Sequence, residues 1–152
     1  MDAKYFEKIR IFDGGMGQEL LSKGLVSKGT LWSASALIEK EFHKLVIDAH
    51  ISYINAGADI IVTNNFSARK IRFIQNKVLD KFQYANEQAG ILANKAREIS
   101  KQNILIAGSL PSQSDTYVED ERSSSEIQSD FEEQAKIISP YVDFFYLDVV
   151  SS

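Results

Sequence analysis

The chain has 152 residues, with 21 acidic and 17 basic side chains for a formal charge of −4, 44% apolar residues and no cysteine. That is enough apolar material for one core, which excludes a chain disordered throughout. The mildly acidic balance lacks the basic stripe of a nucleic-acid binder, and the cysteine count excludes a disulfide framework, a thiolate metal site and a Cys nucleophile within these residues.

The first residues, MDAKYFEKIRIF, contain no signal-type apolar stretch, and no run reaches the ~18 apolar residues of a membrane span. The expectation is a cytoplasmic chain whose partner is a small molecule. Ile9 to Phe12 is the first of four short runs rich in β-branched and aromatic residues that read as strands. It leads into Asp13-Gly14-Gly15 and a long loop to Ser35. Phe42, Leu45, Val46, Ala49 and Tyr53 then recur at helical spacing, with Gly57 placed as a helix-terminating glycine. Asp59 to Val62 is the second strand, followed by Thr63-Asn64-Asn65 and a loop to about Lys81. A stripe of Ala85, Ala89, Leu92, Ala93, Ala96 and Ile99 predicts a second helix whose small residues permit close approach to a sheet. Ile104 to Ala107 is the third strand, and Gly108-Ser109 opens a loop to Ser125. The third helix carries Ile127, Phe131, Ala135 and Ile138, opens on Ser125 and Gln128 spaced as a capping box, and stops at Pro140. Val142 to Leu147 is the fourth strand, ending at Asp148.

The order is β-α-β-α-β-α-β, and near-continuous apolar strands suit a parallel sheet covered on both faces. Right-handed crossovers leave a doubly wound sheet or part of a (β/α)8 barrel. Strand starts at 9, 59, 104 and 143 are 50, 45 and 39 residues apart, more than the roughly 31 per unit of a typical barrel. The surplus sits in loops that follow strands, the functional side of either fold. There Asp13 with Gly14 and Gly15, Thr63-Asn64-Asn65, Gly108-Ser109 and Asp148 converge, a set suited to a ligand carrying an amine or hydroxyls. Plainer roles are available to each: turn formation for Asp13, a cap or loop hydrogen bond for Asn64 and Asn65, and a cap for Asp148.

Other features have bland readings. The glycines after the first strand lack the Lys-Ser/Thr of a phosphate loop. His43 and His50 are seven apart, so they read as surface or packing histidines rather than a metal pair. Arg69, Lys70, Arg72, Lys77 and Lys81 read as a solvated basic stretch. The acids Glu119, Asp120, Glu121, Glu126, Asp130, Glu132 and Glu133 read as a solvated loop and helix face. Trp32, the single tryptophan, is expected to pack the long first loop against the barrel mouth.

In order, IFDGGMGQELLSKGL, LWSASALIE, YINAGADIIVTNNFSAR, ANEQAGILANKARE and IAGSLPSQSDTY resemble the N-terminal part of the homocysteine S-methyltransferase family, from about Ile11 to Asp148. The resemblance implies one partial domain over residues 1–152: the N-terminal half of a (β/α)8 TIM barrel, with four parallel strands and three intervening helices. It implies transfer of a methyl group from a donor such as S-methylmethionine, betaine or methyltetrahydrofolate to the homocysteine thiol, giving methionine. Asp13 matches the acid that holds the homocysteine amino group, and Asn64 lies in a pocket-lining segment reading TNN where TNT is usual. Asp148 stands where the family has Glu, and Thr30 where proline often precedes LWSA. The family's zinc is held by cysteines of the other half of the barrel. The resemblance therefore implies half a substrate pocket and no zinc ligands in this sequence, and no methyl transfer by these residues alone. The alternative is a non-catalytic half barrel that pairs with itself or with a second chain through exposed strand edges.

Overall fold

A computed structural model describes residues 3–114, 116–117 and 119–150. Its centre is a parallel sheet in the order β1 (Ile60–Val62), β2 (Leu105–Pro111) and β3 (Phe144–Asp148). Ile61 stands opposite Ile106, and Gly108 opposite Phe145. All three strands therefore end on the same side. The helices are α1 (Met16–Ser22), α2 (Ser35–Ile38), α3 (His43–Asn55), α4 (Lys70–Gln75), α5 (Phe82–Ser100) and α6 (Ser124–Ile138), with short 3-10 turns between several of them.

Three strands form among the described residues where four were expected. The first run, Ile9 to Phe12, contributes one isolated parallel bridge, Phe12 to Ile60. The reason is local. Asp59 and Ile60 both donate their amides to the Ile11 carbonyl, while the Ile11 amide goes to the Asp59 carboxylate at 2.9 Å instead of to a strand carbonyl. Further back, Ile9 is 93% exposed and has no sheet to lie on. The bond from Asp13 N–H to the Ile60 carbonyl, at 2.9 Å, still carries the chain onto the sheet edge, so Asp13 keeps its place at the strand ends.

The core lies between the sheet and α1, α3 and α5. Leu20, Leu37, Val46, Ile54, Ile61, Phe73 and Ile106 are fully or almost fully buried, and Phe73 meets Phe82 edge-on at 5.7 Å. On α5 the small-residue stripe is buried as the spacing predicts, apart from Ile99, which faces solvent. The α3 stripe is shifted: its buried face is Val46, Ile47, Ala49, His50 and Ile54, with Leu45 and Tyr53 at its margin. Gly57 adopts φ +105° just past the helix end, a conformation that glycine takes without cost. The α6 capping box is Ser123 with Glu126 and not Ser125 with Gln128: Glu126 donates its amide to Ser123 Oγ at 3.3 Å, and Ser123 donates its own to Glu126 Oε2 at 3.0 Å. A carboxylate accepts such bonds more strongly than an amide oxygen, so the helix starts two residues early. Nor is every strand covered on both faces. In β3, Phe145, Tyr146 and Leu147 are exposed, and β3 has a strand neighbour on one side only.

Candidate functional site

The strand ends enclose a cavity of about 490 Å³ lined chiefly by Phe12, Asp13, Gly14, Trp32, Asn64 and Asp148, with Gly15, Thr63 and Tyr146 among the rest. Of the strand-end residues singled out in the sequence, Asp13, Gly14, Gly15, Thr63, Asn64 and Asp148 border this one space, whereas Asn65, Gly108 and Ser109 do not line it. Asp13 is held by the sheet: the Val62 amide donates to its Oδ2 at 2.9 Å, and its side chain is only 3% exposed. Burial pushes its carboxyl up to about 7, with the facing Asp148 charge adding to the rise and the Val62 bond opposing it. Asp148, at the end of β3, accepts from Ser109 Oγ at 2.8 Å and is likewise raised by burial. Two carboxyl groups that resist ionising next to each other in an apolar mouth have one strong remedy, a cation between them. An ammonium group answers that description.

Asn64 is fixed by donating Nδ2 to the Ser33 carbonyl at 3.2 Å, which ties the second strand's loop to the first. Asn65 turns away from the pocket. Its Nδ2 donates to Asn86 Oδ1 and to the Ser109 carbonyl, and its Oδ1 accepts from Thr63 Oγ1 at 2.6 Å. Gly14 is required for space, since a Cβ there would sit 2.8 Å from the Tyr53 ring, whereas a Cβ on Gly15 would meet nothing within 4 Å.

Further residues shape the site. Trp32, expected where the first loop packs against the mouth of the fold, lines the cavity itself and holds a left-handed backbone at φ 46°. Gly17 makes room for it: a Cβ at Gly17 would lie 2.4 Å from the indole. Ser109, expected among the converging strand-end residues, reaches the site through Asp148, to which its hydroxyl donates, and His50 stands behind Asp13 with Nδ1 3.9 Å from Oδ2. Nothing in a single sequence marks a helical histidine for such a role. The basic stretch is not uniformly solvated either. Arg69 is buried, donating Nη1 to the carbonyls of Ser112 and Ser114 while its guanidinium lies 5.4 Å from the Phe66 ring. The acidic cluster is partly neutralised, because Arg122 bridges Asp120 and Asp130 at 2.7 and 2.6 Å, and Lys70 reaches Glu133 at 2.6 Å.

A zinc site of the kind the resemblance implies does not fit the residues present. The chain contains no cysteine, and among the described residues no three His, Cys, Asp or Glu side chains are grouped to hold a metal ion. No helix among the described residues is long and apolar enough to cross a membrane.

Comparison with known proteins gives one consistent result. The family model described as homocysteine S-methyltransferase matches residues 10–152. Homocysteine S-methyltransferase of Escherichia coli strain K12 is 32% identical over 115 residues, covering 68% of this chain and 35% of that protein. Homocysteine S-methyltransferase 1 of Zea mays is 36% identical over 64 residues, 42% of this chain and 19% of that one. Among solved structures, the metallated form of the E. coli homocysteine methyltransferase MmuM superposes with a TM-score of 0.77 at 26% identity, over 94% of this chain and 55% of its own. The chain thus spans about half the length of the solved relative, and its alignments cover about a third or less of the curated ones.

Proposed function

Because the chain belongs to the homocysteine S-methyltransferase family, we propose that its pocket binds the amino-acid end of homocysteine. The observation that carries this reading is the pair of half-buried to buried carboxyl groups, Asp13 and Asp148, facing one cavity from the end of the first segment and the end of β3, with β1 and β2 between them in the sheet. The substrate ammonium sits between them, and its charge draws both carboxyls into their ionised forms. Asn64 and the backbone at Gly14 and Gly15 border the remainder of the amino acid. Asp148 in place of the family's Glu is one methylene shorter, and its Ser109 bond fixes it close to the strand, so Asp13 makes the closer of the two contacts.

The family reaction forms a bond from the homocysteine sulfur to the donor methyl carbon, breaks the bond from that carbon to the donor's heteroatom, and requires the thiol proton to leave first. Zinc, where the family carries it, supplies that thiolate. The described residues offer no ligand set for it, so their part is to bind, orient and exclude water from the amino-acid end. In this reading residues 1–152 form the first half of a (β/α)8 barrel domain, with homocysteine and a methyl donor as its small-molecule partners, and do not turn over alone. Calorimetric titration with L-homocysteine tests the reading. Asp13→Asn is expected to weaken binding by tenfold or more, the scale of about 1.5–3 kcal/mol for a hydrogen bond to a charged group, and Asp148→Asn by less. Unchanged affinity in both variants would refute it. Methionine formation by the chain with S-methylmethionine and added zinc would refute the division of labour.

The exposed β3 edge supports a second reading, self-association of the chain by strand addition, which requires no change in the pocket.

A further inference from the structure

His50 lies on the buried face of α3 with no exposed surface, and neither ring nitrogen has a hydrogen-bond partner. A buried polar group left unbonded costs about 1–3 kcal/mol, so a histidine kept there needs a reason. Packing alone is a poor one, since Leu or Met would fill similar space without that cost. The direction of the ring supplies a better one. Its Nδ1 is 3.9 Å from Asp13 Oδ2, under 1 Å beyond hydrogen-bond range. This approach is no ion pair, because full burial depresses the imidazole to about 3 and leaves it neutral. A neutral imidazole still has one N–H to give. The two groups are also mechanically tied, because Gly14 presses against Tyr53, one turn along α3 from His50.

We propose that His50 is a positioning residue for Asp13: whenever the carboxylate is ionised, Nδ1–H closes onto Oδ2 and holds it in the orientation that meets the substrate ammonium. The proposal rests on the reading that Asp13 takes the amino group of the ligand. The groups facing Asp13 are the Val62 amide from β1, Asp148 from β3, and His50 and Tyr53 from α3; the Tyr53 hydroxyl is raised first by burial and then by the charges of Glu19 on α1 and Asp13. Of these, the Val62 amide already donates to Oδ2 and Asp148 accepts from Ser109, which leaves the Tyr53 hydroxyl and His50 as side-chain donors, and it is His50 whose ring nitrogen stands 3.9 Å from Oδ2.

The test is a titration of the Asp13 carboxyl by ¹³C NMR in the ligand-free chain. With His50→Leu the midpoint is expected to rise by about one unit, because the anion loses a donor, and His50→Asn, which keeps an N–H near the Nδ1 position, is expected to restore part of the shift. In an Asp13→Asn background, His50→Leu is expected to leave L-homocysteine affinity unchanged, while alone it weakens it several-fold. An Asp13 midpoint equal in wild type and a folded His50→Leu variant would overturn the proposal. Should that variant fail to fold, ¹⁵N spectra of the wild-type imidazole above the Asp13 midpoint decide instead: a proton on Nδ1 supports the proposal and a proton on Nε2 alone overturns it. Failure of the pocket reading looks different, as L-homocysteine would then leave the wild-type Asp13 signal unmoved while the ligand-free comparison still decides the role of His50.

Discussion

Asp13 and His50 are buried in forms that pull the pH dependence of folding in opposite directions. A carboxyl raised to about 7 is protonated in the folded chain at pH values where the unfolded chain has lost the proton. Its contribution is complete below the ordinary carboxylate range and is lost as pH rises through about 7. His50, depressed to about 3, behaves in the opposite sense: its contribution is complete above 6.5 and is lost as pH falls toward 3. Asp13→Asn removes the first dependence. Relative to wild type, that variant is expected to gain stability steadily from pH 4 to pH 8 in urea titrations, toward a ceiling of about 4 kcal/mol for a rise of roughly three units. A constant difference across that range would contradict the burial of an uncompensated carboxyl. Gly17 gives a second prediction at this scale. Gly17→Ala drives a methyl into the indole of Trp32, and a loss of about 1–3 kcal/mol with altered Trp32 fluorescence is expected, since the ring has pocket on its other side.

Elements are held in register by polar groups as much as by apolar ones. Asp59 before β1 and Asp143 before β3 play the same part, each accepting the amide of a residue in the preceding parallel segment, Ile11 and Ile106, at 2.9 and 2.7 Å. Above the sheet, Asn65, Asn86 and Gln134 form a buried amide network that joins the loop after β1 to α5 and α6. Gln134 Nε2 donates to Asn86 Oδ1 at 3.0 Å and to the Ala68 carbonyl at 3.2 Å, and Asn86 Nδ2 donates to the carbonyls of Ala68 and Phe82. Asn86→Leu strands the donors of both partners, and a loss of about 2–4 kcal/mol in urea unfolding is expected. Weaker ligand binding should accompany it, because the same loop carries Asn64. The helices were legible wherever one periodic stripe dominated, as on α5, and the convergence of Asp13, Asn64 and Asp148 followed from parallel strands ending on one side. The α6 start was misplaced because EDERSSSEIQ offers several serines in capping register, and the first strand was overread because apolar residues alone do not say whether a sheet reaches them. His50 was hidden for a related reason: at helical spacing a histidine facing a carboxylate looks the same as one that packs.

At the scale of the whole molecule, two surfaces remain distinctive: the cavity at the strand ends and the uncovered β3 edge, where Phe145, Tyr146 and Leu147 are exposed. An exposed apolar edge strand is a template for pairing with another chain. Light scattering is expected to show mass rising with concentration, and Leu147→Lys to suppress it, whereas a monomer at all concentrations would show that the edge is protected. The central claim, that Asp13 and Asp148 form an ammonium-binding end of the pocket, is tested most directly by calorimetry of the chain with L-homocysteine and with 4-mercaptobutyrate, the same molecule without its amino group. Binding of L-homocysteine at least tenfold tighter, with proton release on binding near pH 7, is the expected result. Equal affinity for the two thiols would contradict it.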